Sequence, residues 1–289
     1  MAKNILLAMR IEQWTKNLFI FAPLIFAKHL NNIDEVILVF FSFICFSVLS
    51  SGNYILNDIL DIKNDVLHPS KKNRVITSKK ISIQFAVFLS LFFIFLSTVF
   101  SFLINKNFFL TVIAYLFVGF LYSFIVKKIV ILDVIFIAIG FVLRVIAGAV
   151  VINISVSEWI LVCTFLISLF LGFVKRRTEI ITLENNAQQH RLVLENYNIE
   201  FLNLLIAIST ATSFIAYIFY TMSNETIEKF HTKKLIFTVP FVLFGIFRYL
   251  YLSYKKNIGD DASKILFFDF QFLINILLWF LMILYFIYI

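Results

Sequence analysis

VILVFFSFICFSVLSSGNYIL, residues 36–56, runs directly into NDILDIKND, residues 57–65. The first stretch has the length of a membrane-spanning helix, which needs about 20 mostly apolar residues. The second places an asparagine and three aspartates at the end of that helix. If the helix continues through them, Asn57, Asp61 and Asp65 fall four residues apart with Asp58 beside them, within about 100° of arc. Carboxylates crowded in this way repel unless a cation neutralises them. Ionisable groups at a membrane helix end are costly and tend to be functional.

The rest of the chain repeats the first half of this pattern. Apolar runs recur near residues 83–104, 108–126, 129–152, 156–174, 202–222, 234–252 and 265–288. A shorter run from Asn17 to Ala27, containing Pro23, makes a ninth candidate. With 61% hydrophobic residues, 15% charged residues and 38 Phe in 289 residues, a soluble domain would lack the polar surface to cover its core. The expectation is an all-α integral membrane protein with about nine transmembrane helices, forming a single domain over residues 1–289. The polar N-terminus carries no pattern of a cleaved signal peptide. Cys45 and Cys163 each lie inside an apolar run and read as packing residues rather than as a disulfide or a thiolate site.

The net charge of +8 is distributed between the spans, which argues for topology and anionic ligands and against nucleic acid. With nine spans and the N-terminus inside, the inner segments hold 18 Lys and Arg and the outer segments 5. Cytoplasmic loops carry the positive excess. The N-terminus is therefore expected inside, the C-terminus outside, and the polar loops after spans two, four, six and eight on the cytoplasmic face of the inner (plasma) membrane.

Those loops hold the candidate chemistry. Hard oxygen ligands such as Asp58, Asp61 and Asp65 suit Mg²⁺, which typically binds one or two carboxylates together with substrate phosphates. His68-Pro69-Ser70-Lys71-Lys72-Asn73-Arg74 follows at once, and Lys71 and Arg74 beside a metal site fit a polyphosphate. Lys79 and Lys80 read better as topological charges. Tyr122, Ser123, Lys127 and Lys128 end span four. On the next span Asp133, Gly140 and Arg144 share one face, and a mid-membrane arginine requires a carboxylate or a polar cavity. Gly140 and Gly148 would admit a close neighbour. After span six, Lys175, Arg176 and Glu179 have ion-pair spacing and read either as a self-paired helix end or as a second phosphate site. The chain has no phosphate-cradling glycine loop, no GxSxG elbow and no HExxH helix, and its four histidines are scattered.

These residues resemble the UbiA superfamily of membrane prenyltransferases, and within it the decaprenyl-phosphate phosphoribosyltransferase branch. The resemblance covers nearly the whole chain. It includes Arg10, Gln13-Trp14 and Lys16-Asn17, then Asn57-Asp58-x-x-Asp61-x-x-x-Asp65, His68-Pro69-x-Lys71-x-x-Arg74, and Tyr122-Ser123 with Lys127. Leu132-Asp133-Val134, Gly140-Phe141-x-Leu143-Arg144 with Ala147-Gly148, Ser157-x-Trp159, Lys175-Arg176-x-x-Glu179 and Arg248-Tyr249 complete it. Typical aromatic prenyltransferases of the superfamily carry a second aspartate-rich motif where Lys175-Arg176-x-x-Glu179 stands. Exchanging carboxylates for cations changes the implied ligand from a second metal to an anion. Two departures fall after Arg74: Val75 replaces a usual Pro, and Thr77-Ser78-Lys79-Lys80 replaces a glycine-containing turn.

The resemblance implies a UbiA-like helical bundle with a cytoplasm-facing active site. It implies transfer of 5-phosphoribosyl from phosphoribosyl diphosphate (PRPP) to a polyprenyl phosphate, decaprenyl or similar, with release of diphosphate. Mg²⁺ would be held by Asp58, Asp61 and Asp65. The substrates would be bound by Lys16, Asn57, Lys71, Arg74, Tyr122, Lys127, Arg144, Lys175, Arg176 and Glu179. Association between copies of the chain is left open. One alternative is transfer of a prenyl group from a prenyl diphosphate to an aromatic or other acceptor, discriminated by whether the second motif takes metal or anion. Another is a carrier for polyprenyl-linked sugars, which would need polar residues through the full membrane depth.

Overall fold

The computed structural model describes residues 1–67, 71–183, 192–256, 265 and 269–289. His68, Pro69 and Ser70, with Arg191 and Lys264 of the basic loops, lie outside the described residues. Every regular element among the described residues is helical. Among the described residues, eight helices are long and apolar enough to cross a membrane. Their burial is inverted relative to a water-soluble protein: Phe95 is 68% exposed and Phe88 61%, whereas Ser42, Ser47 and Ser50 are fully buried. Lipid is the solvent that makes this favourable, because small polar residues allow helices to approach while large apolar ones face the hydrocarbon.

The chain divides into two compact units. The first contains Met1–Val156 and the 3-10 turn Leu192–Asn196. It begins with α1 (Ala2–Met9), which ends where Arg10 adopts a left-handed conformation with φ 51°. A 3-10 segment, Ile11–Phe21, leads into the short α2 (Ala22–Phe26). α3 (Ile33–Leu60) is capped by the Asn32 side chain, which accepts a hydrogen bond from the Glu35 amide. α4 (Ile62–Leu67), α5 (Ile83–Ile104), α6 (Lys106–Phe124) and α7 (Leu132–Val151) follow. Ser82 and Asn105 cap α5 and α6, so polar residues between apolar runs fix where these two spans start, whereas α7 starts after Ile131 without a side-chain cap.

The expected ninth span is not a regular α-helix. Eleven 3-10 residues at about 2.0 Å rise and five α residues at about 1.5 Å give roughly 30 Å, the hydrocarbon thickness of a bilayer. A 3-10 run of this length is uncommon, and it is held by tertiary contacts. Trp14 Nε1 donates to Ser51 Oγ at 3.0 Å, and Asn17 Nδ2 donates to Ser47 and Ser50 at 3.0 and 3.1 Å. A Cβ added at Gly148 would meet the Ile20 carbonyl oxygen at 1.9 Å, so α7 has a glycine where the 3-10 backbone crosses it. Ile20, Leu24, Phe46, Leu49, Phe108, Val112 and Ala147 then pack as one apolar cluster. Gly140 does something other than admit a neighbour: a Cβ there would make only ordinary contacts, and it is the Gly140 carbonyl that is used.

The second unit contains α8 (Glu158–Leu183) and the described residues from Tyr197 onward. Its further helices are α9 (Ile199–Met222), α10 (Asn224–Phe230), α11 (Val239–Lys256) and α12 (Phe270–Tyr288). Tyr217 hydroxyl lies 2.7 Å from Thr238 Oγ1 and accepts from Trp279 Nε1 at 2.9 Å. Arg248 donates to both oxygens of Asp269, the residue that caps α12, at 3.1 and 2.7 Å. Cys45 and Cys163 are both free thiols.

Candidate active site

In the first unit α3 stops at Leu60, Asp61 takes φ −95° and ψ 3°, and α4 starts at Ile62. The backbone stays hydrogen-bonded across the bend, from Asp61 N to Asn57 O at 3.0 Å and from Asp65 N to Asp61 O at 2.8 Å. The bend divides the acidic motif into two parts. Asp58 and Asp65 are buried and share one guanidinium: Arg74 Nη1 donates to Asp58 Oδ1 at 3.0 Å and to Asp65 Oδ2 at 2.5 Å. Arg10 forms a second ion pair with Asp58 and lies over the Tyr54 ring at 5.6 Å. Asp61 is more open, accepting from Asn57 Nδ2 at 3.1 Å and from Lys127 Nζ at 2.6 Å. Three carboxylates thus face three cations drawn from distant parts of the chain.

Burial sets the electrostatics. Removal from water pushes the Asp65 carboxyl above its ordinary pKa, and the opposing pull of Arg74 and Lys71 only partly offsets this. For Arg10 burial acts downward, but Asp58, Tyr54 and Asp65 together outweigh it and the net shift is upward. Arg74 is positioned by the residues after it: Val75, Ile76 and Ile81 are buried against Ala8, Ile55, Ala86 and Leu89. The departure from the family's turn has a local cost, since Lys79 adopts φ 58°, a conformation glycine takes without steric penalty.

Among the described residues, no three His, Cys, Asp or Glu side chains gather closely enough to hold one ion. The three carboxylates therefore do not form a common cage. The donor chemistry nonetheless fits a hard cation at one place. Asn57 Oδ1 is buried with no hydrogen-bond partner, while the same amide's nitrogen is tied to Asp61. An orphaned oxygen acceptor beside a half-open carboxylate suits Mg²⁺, which takes one or two protein oxygens and completes its shell with phosphate and water. Lys71, Tyr122 and Lys16 are half-buried and lie three to six residues along the chain from Arg74, Lys127 and Arg10.

Arg144 is buried, and its hydrogen bonds are made without a carboxylate. Nε donates to Asn17 Oδ1 at 2.7 Å, Nη1 to the Gly140 carbonyl at 2.7 Å and Nη2 to the Tyr115 hydroxyl at 3.0 Å. The rings of Tyr115, Phe141 and Phe46 lie 5.0, 5.2 and 5.6 Å from its guanidinium carbon. Aromatic faces and neutral oxygens replace the carboxylate that the charge alone suggested. Asp133, on the same helix, is fully buried.

In the second unit, Arg176 is fully buried and donates to Glu179 Oε2 at 2.7 Å, so these two residues of the motif are paired with each other. Lys175 is half-buried. Two participants escape a reading of the sequence by spacing alone. Tyr115 carries no motif, and Arg177, next to the motif, has its own set of partners in α9 and α11.

A model of the UbiA prenyltransferase family matches residues 17–184, more than half of the chain. The chain belongs to the UbiA prenyltransferase family. It is 28% identical over 229 residues to the decaprenyl-phosphate phosphoribosyltransferase of Mycolicibacterium smegmatis, covering 78% of this chain and 72% of that protein. It is 27% identical over 263 residues to uncharacterized protein y4nM of Sinorhizobium fredii, covering 90% of this chain but only 51% of that longer relative. The fold is similar to that of a UbiA homolog from Archaeoglobus fulgidus bound to GPP and Mg²⁺, with a TM-score of 0.74, 19% identity, and coverage of 99% of this chain and 100% of that one. The UbiA chain is thus a membrane transferase with an all-helical fold.

Proposed function

We propose that this UbiA enzyme transfers the 5-phosphoribosyl group of PRPP to the phosphate of a polyprenyl phosphate and releases diphosphate. The observation that carries this reading is the pairing of Arg176 with Glu179 beside Lys175. The one carboxylate of the second motif is committed to an arginine, which leaves that motif suited to an anion rather than to a second metal. The similarity to a protein named decaprenyl-phosphate phosphoribosyltransferase supports a phosphoribosyl group and a polyprenyl phosphate acceptor.

In this mechanism Asn57 Oδ1 and Asp61 would hold Mg²⁺, which would supply neutralising charge to the leaving diphosphate. Lys127, already at Asp61, and Arg74 and Lys71 bind phosphate oxygens. Asp58 and Asp65 act chiefly by fixing Arg10 and Arg74. Lys175, beside the buried Arg176–Glu179 pair, serves the 5-phosphate or the lipid phosphate. Displacement at the anomeric carbon breaks its bond to the diphosphate and forms one to an oxygen of the acceptor phosphate, with positive charge developing on the ribose between the two anions. The acceptor phosphate is itself an anion, so no general base has to remove a proton. Lys16, Tyr122 and Arg144 line and brace the donor's approach from the cytoplasm.

The test is diphosphate release from PRPP by purified enzyme in lipid vesicles. Release should require both polyprenyl phosphate and Mg²⁺, and Asp61→Asn should raise the Mg²⁺ concentration needed for half-maximal rate. Release that ignores the lipid phosphate, or that appears only with a prenyl diphosphate and an aromatic acceptor, would overturn the proposal.

A further inference from the structure

At the end of the second unit, three span ends bring together Arg177 of α8, Asn203 near the start of α9 and Tyr254 in the last turn of α11. Arg177 Nε donates to Asn203 Oδ1 at 2.8 Å, and the Tyr254 hydroxyl donates to the same oxygen at 2.8 Å. The Tyr254 ring lies 3.6 Å from the guanidinium carbon. One face and one edge of the guanidinium are therefore fixed. Arg177 is only 9% exposed, and its Nη1 is buried without a hydrogen-bond partner.

This arrangement differs from that of the other arginines among the described residues. Arg10, Arg74, Arg176 and Arg248 each face a carboxylate, and all three nitrogens of Arg144 donate to oxygens. Arg177 has neutral partners, a full positive charge and one donor unused. A planar guanidinium held in this way is built for an anionic oxygen. Its position gives the class of that oxygen. The candidate spans end at Thr182 and Lys255 and begin at Ile199, so the cluster lies toward the span ends, the part of a span nearest the headgroups. Tyr254 is 40% exposed, as an amphipathic ring at a membrane boundary is.

We propose that Arg177, Asn203 and Tyr254 form a binding site for the phosphate of an anionic membrane phospholipid, separate from the residues assigned above to transfer. The unpaired Nη1 receives the phosphate oxygen, Asn203 and Tyr254 hold the guanidinium in plane, and the acyl chains lie along the apolar sides of α9 and α11.

The experiment measures the thermal unfolding midpoint of the full chain in nanodiscs of phosphatidylcholine with and without phosphatidylglycerol. The wild type should be stabilised by several degrees on adding phosphatidylglycerol, and Arg177→Gln should lose most of that increment. Arg177→Lys, which keeps the charge without the planar fork, should retain part of it. Lys255→Gln, a change of an exposed cation on the same helix end, should keep it. Where Arg177→Gln does not fold, Tyr254→Phe serves instead: it preserves the ring over the guanidinium, removes the hydroxyl that holds Asn203, and should shrink the increment. An undiminished increment in Arg177→Gln or Tyr254→Phe would overturn the site, as would an equal loss in Lys255→Gln. Equal stabilisation by inorganic phosphate in pure phosphatidylcholine would overturn the assignment to a lipid.

Discussion

At the scale of single residues, Arg74 joins the two buried carboxylates of the acidic motif, and its removal should be felt in both fold and chemistry. Arg74→Ala leaves Asp58 and Asp65 buried with a weakened counter-charge; breaking such pairs costs on the order of 2–4 kcal/mol after allowing for the partial exposure of the arginine. The unfolding midpoint should fall and transfer should be lost, while Arg74→Lys, unable to bridge two carboxylates in one plane, should recover stability better than activity. Asn17→Leu should cost about 1–3 kcal/mol, because it strips Arg144 Nε of its acceptor inside the membrane; denaturant unfolding in detergent measures it. The acidic motif and Arg74 were legible from residue type and spacing. The bend at Asp61, which separates Asp58 and Asp65 from the Asn57 and Asp61 pair, was not, because helical periodicity assumes that the helix continues. Arg144 was read as needing a carboxylate or a polar cavity, and it is surrounded by aromatic faces and neutral oxygens, one of them from an asparagine 127 residues earlier in the chain. Long-range neutral partners leave no pattern in local sequence.

At the scale of elements, the eight regular spans were legible because lipid demands some 20 apolar residues in a row and polar caps mark the ends. The Ile11–Phe21 segment was not, since its polar residues Gln13 and Asn17 are buried against α3 and α7 rather than exposed. Its conformation is a tertiary outcome. Gly148→Ala tests the crossing. With a Cβ placed 1.9 Å from a backbone oxygen, the segment or α7 must move, and overpacking of this kind costs about 1–3 kcal/mol. A drop in unfolding midpoint accompanied by loss of activity is expected, whereas Gly140→Ala, with room for a methyl group, should be mild. Equal effects from the two substitutions would contradict the account of how this segment is seated.

At the scale of the whole molecule, chain orientation and reaction are the two claims that charge distribution and family membership support. If the 3-10 segment with α2 crosses the bilayer as its length of about 30 Å allows, nine crossings put the chain ends on opposite sides. An impermeant thiol reagent should then reach Ala2→Cys and Ile289→Cys from opposite faces of inverted vesicles. Labelling of both from one face would leave eight crossings. The central claim, that a UbiA fold here moves a sugar phosphate rather than a prenyl chain, is tested most directly by offering one membrane preparation two labelled donors in turn, PRPP and a prenyl diphosphate, with unlabelled polyprenyl phosphate and Mg²⁺. The account predicts label in the lipid phase from the ribose of PRPP, and in Asp61→Asn the same label only at a higher Mg²⁺ concentration. Absence of ribose label from the lipid, together with transfer of the prenyl group to an added aromatic acceptor, would contradict it.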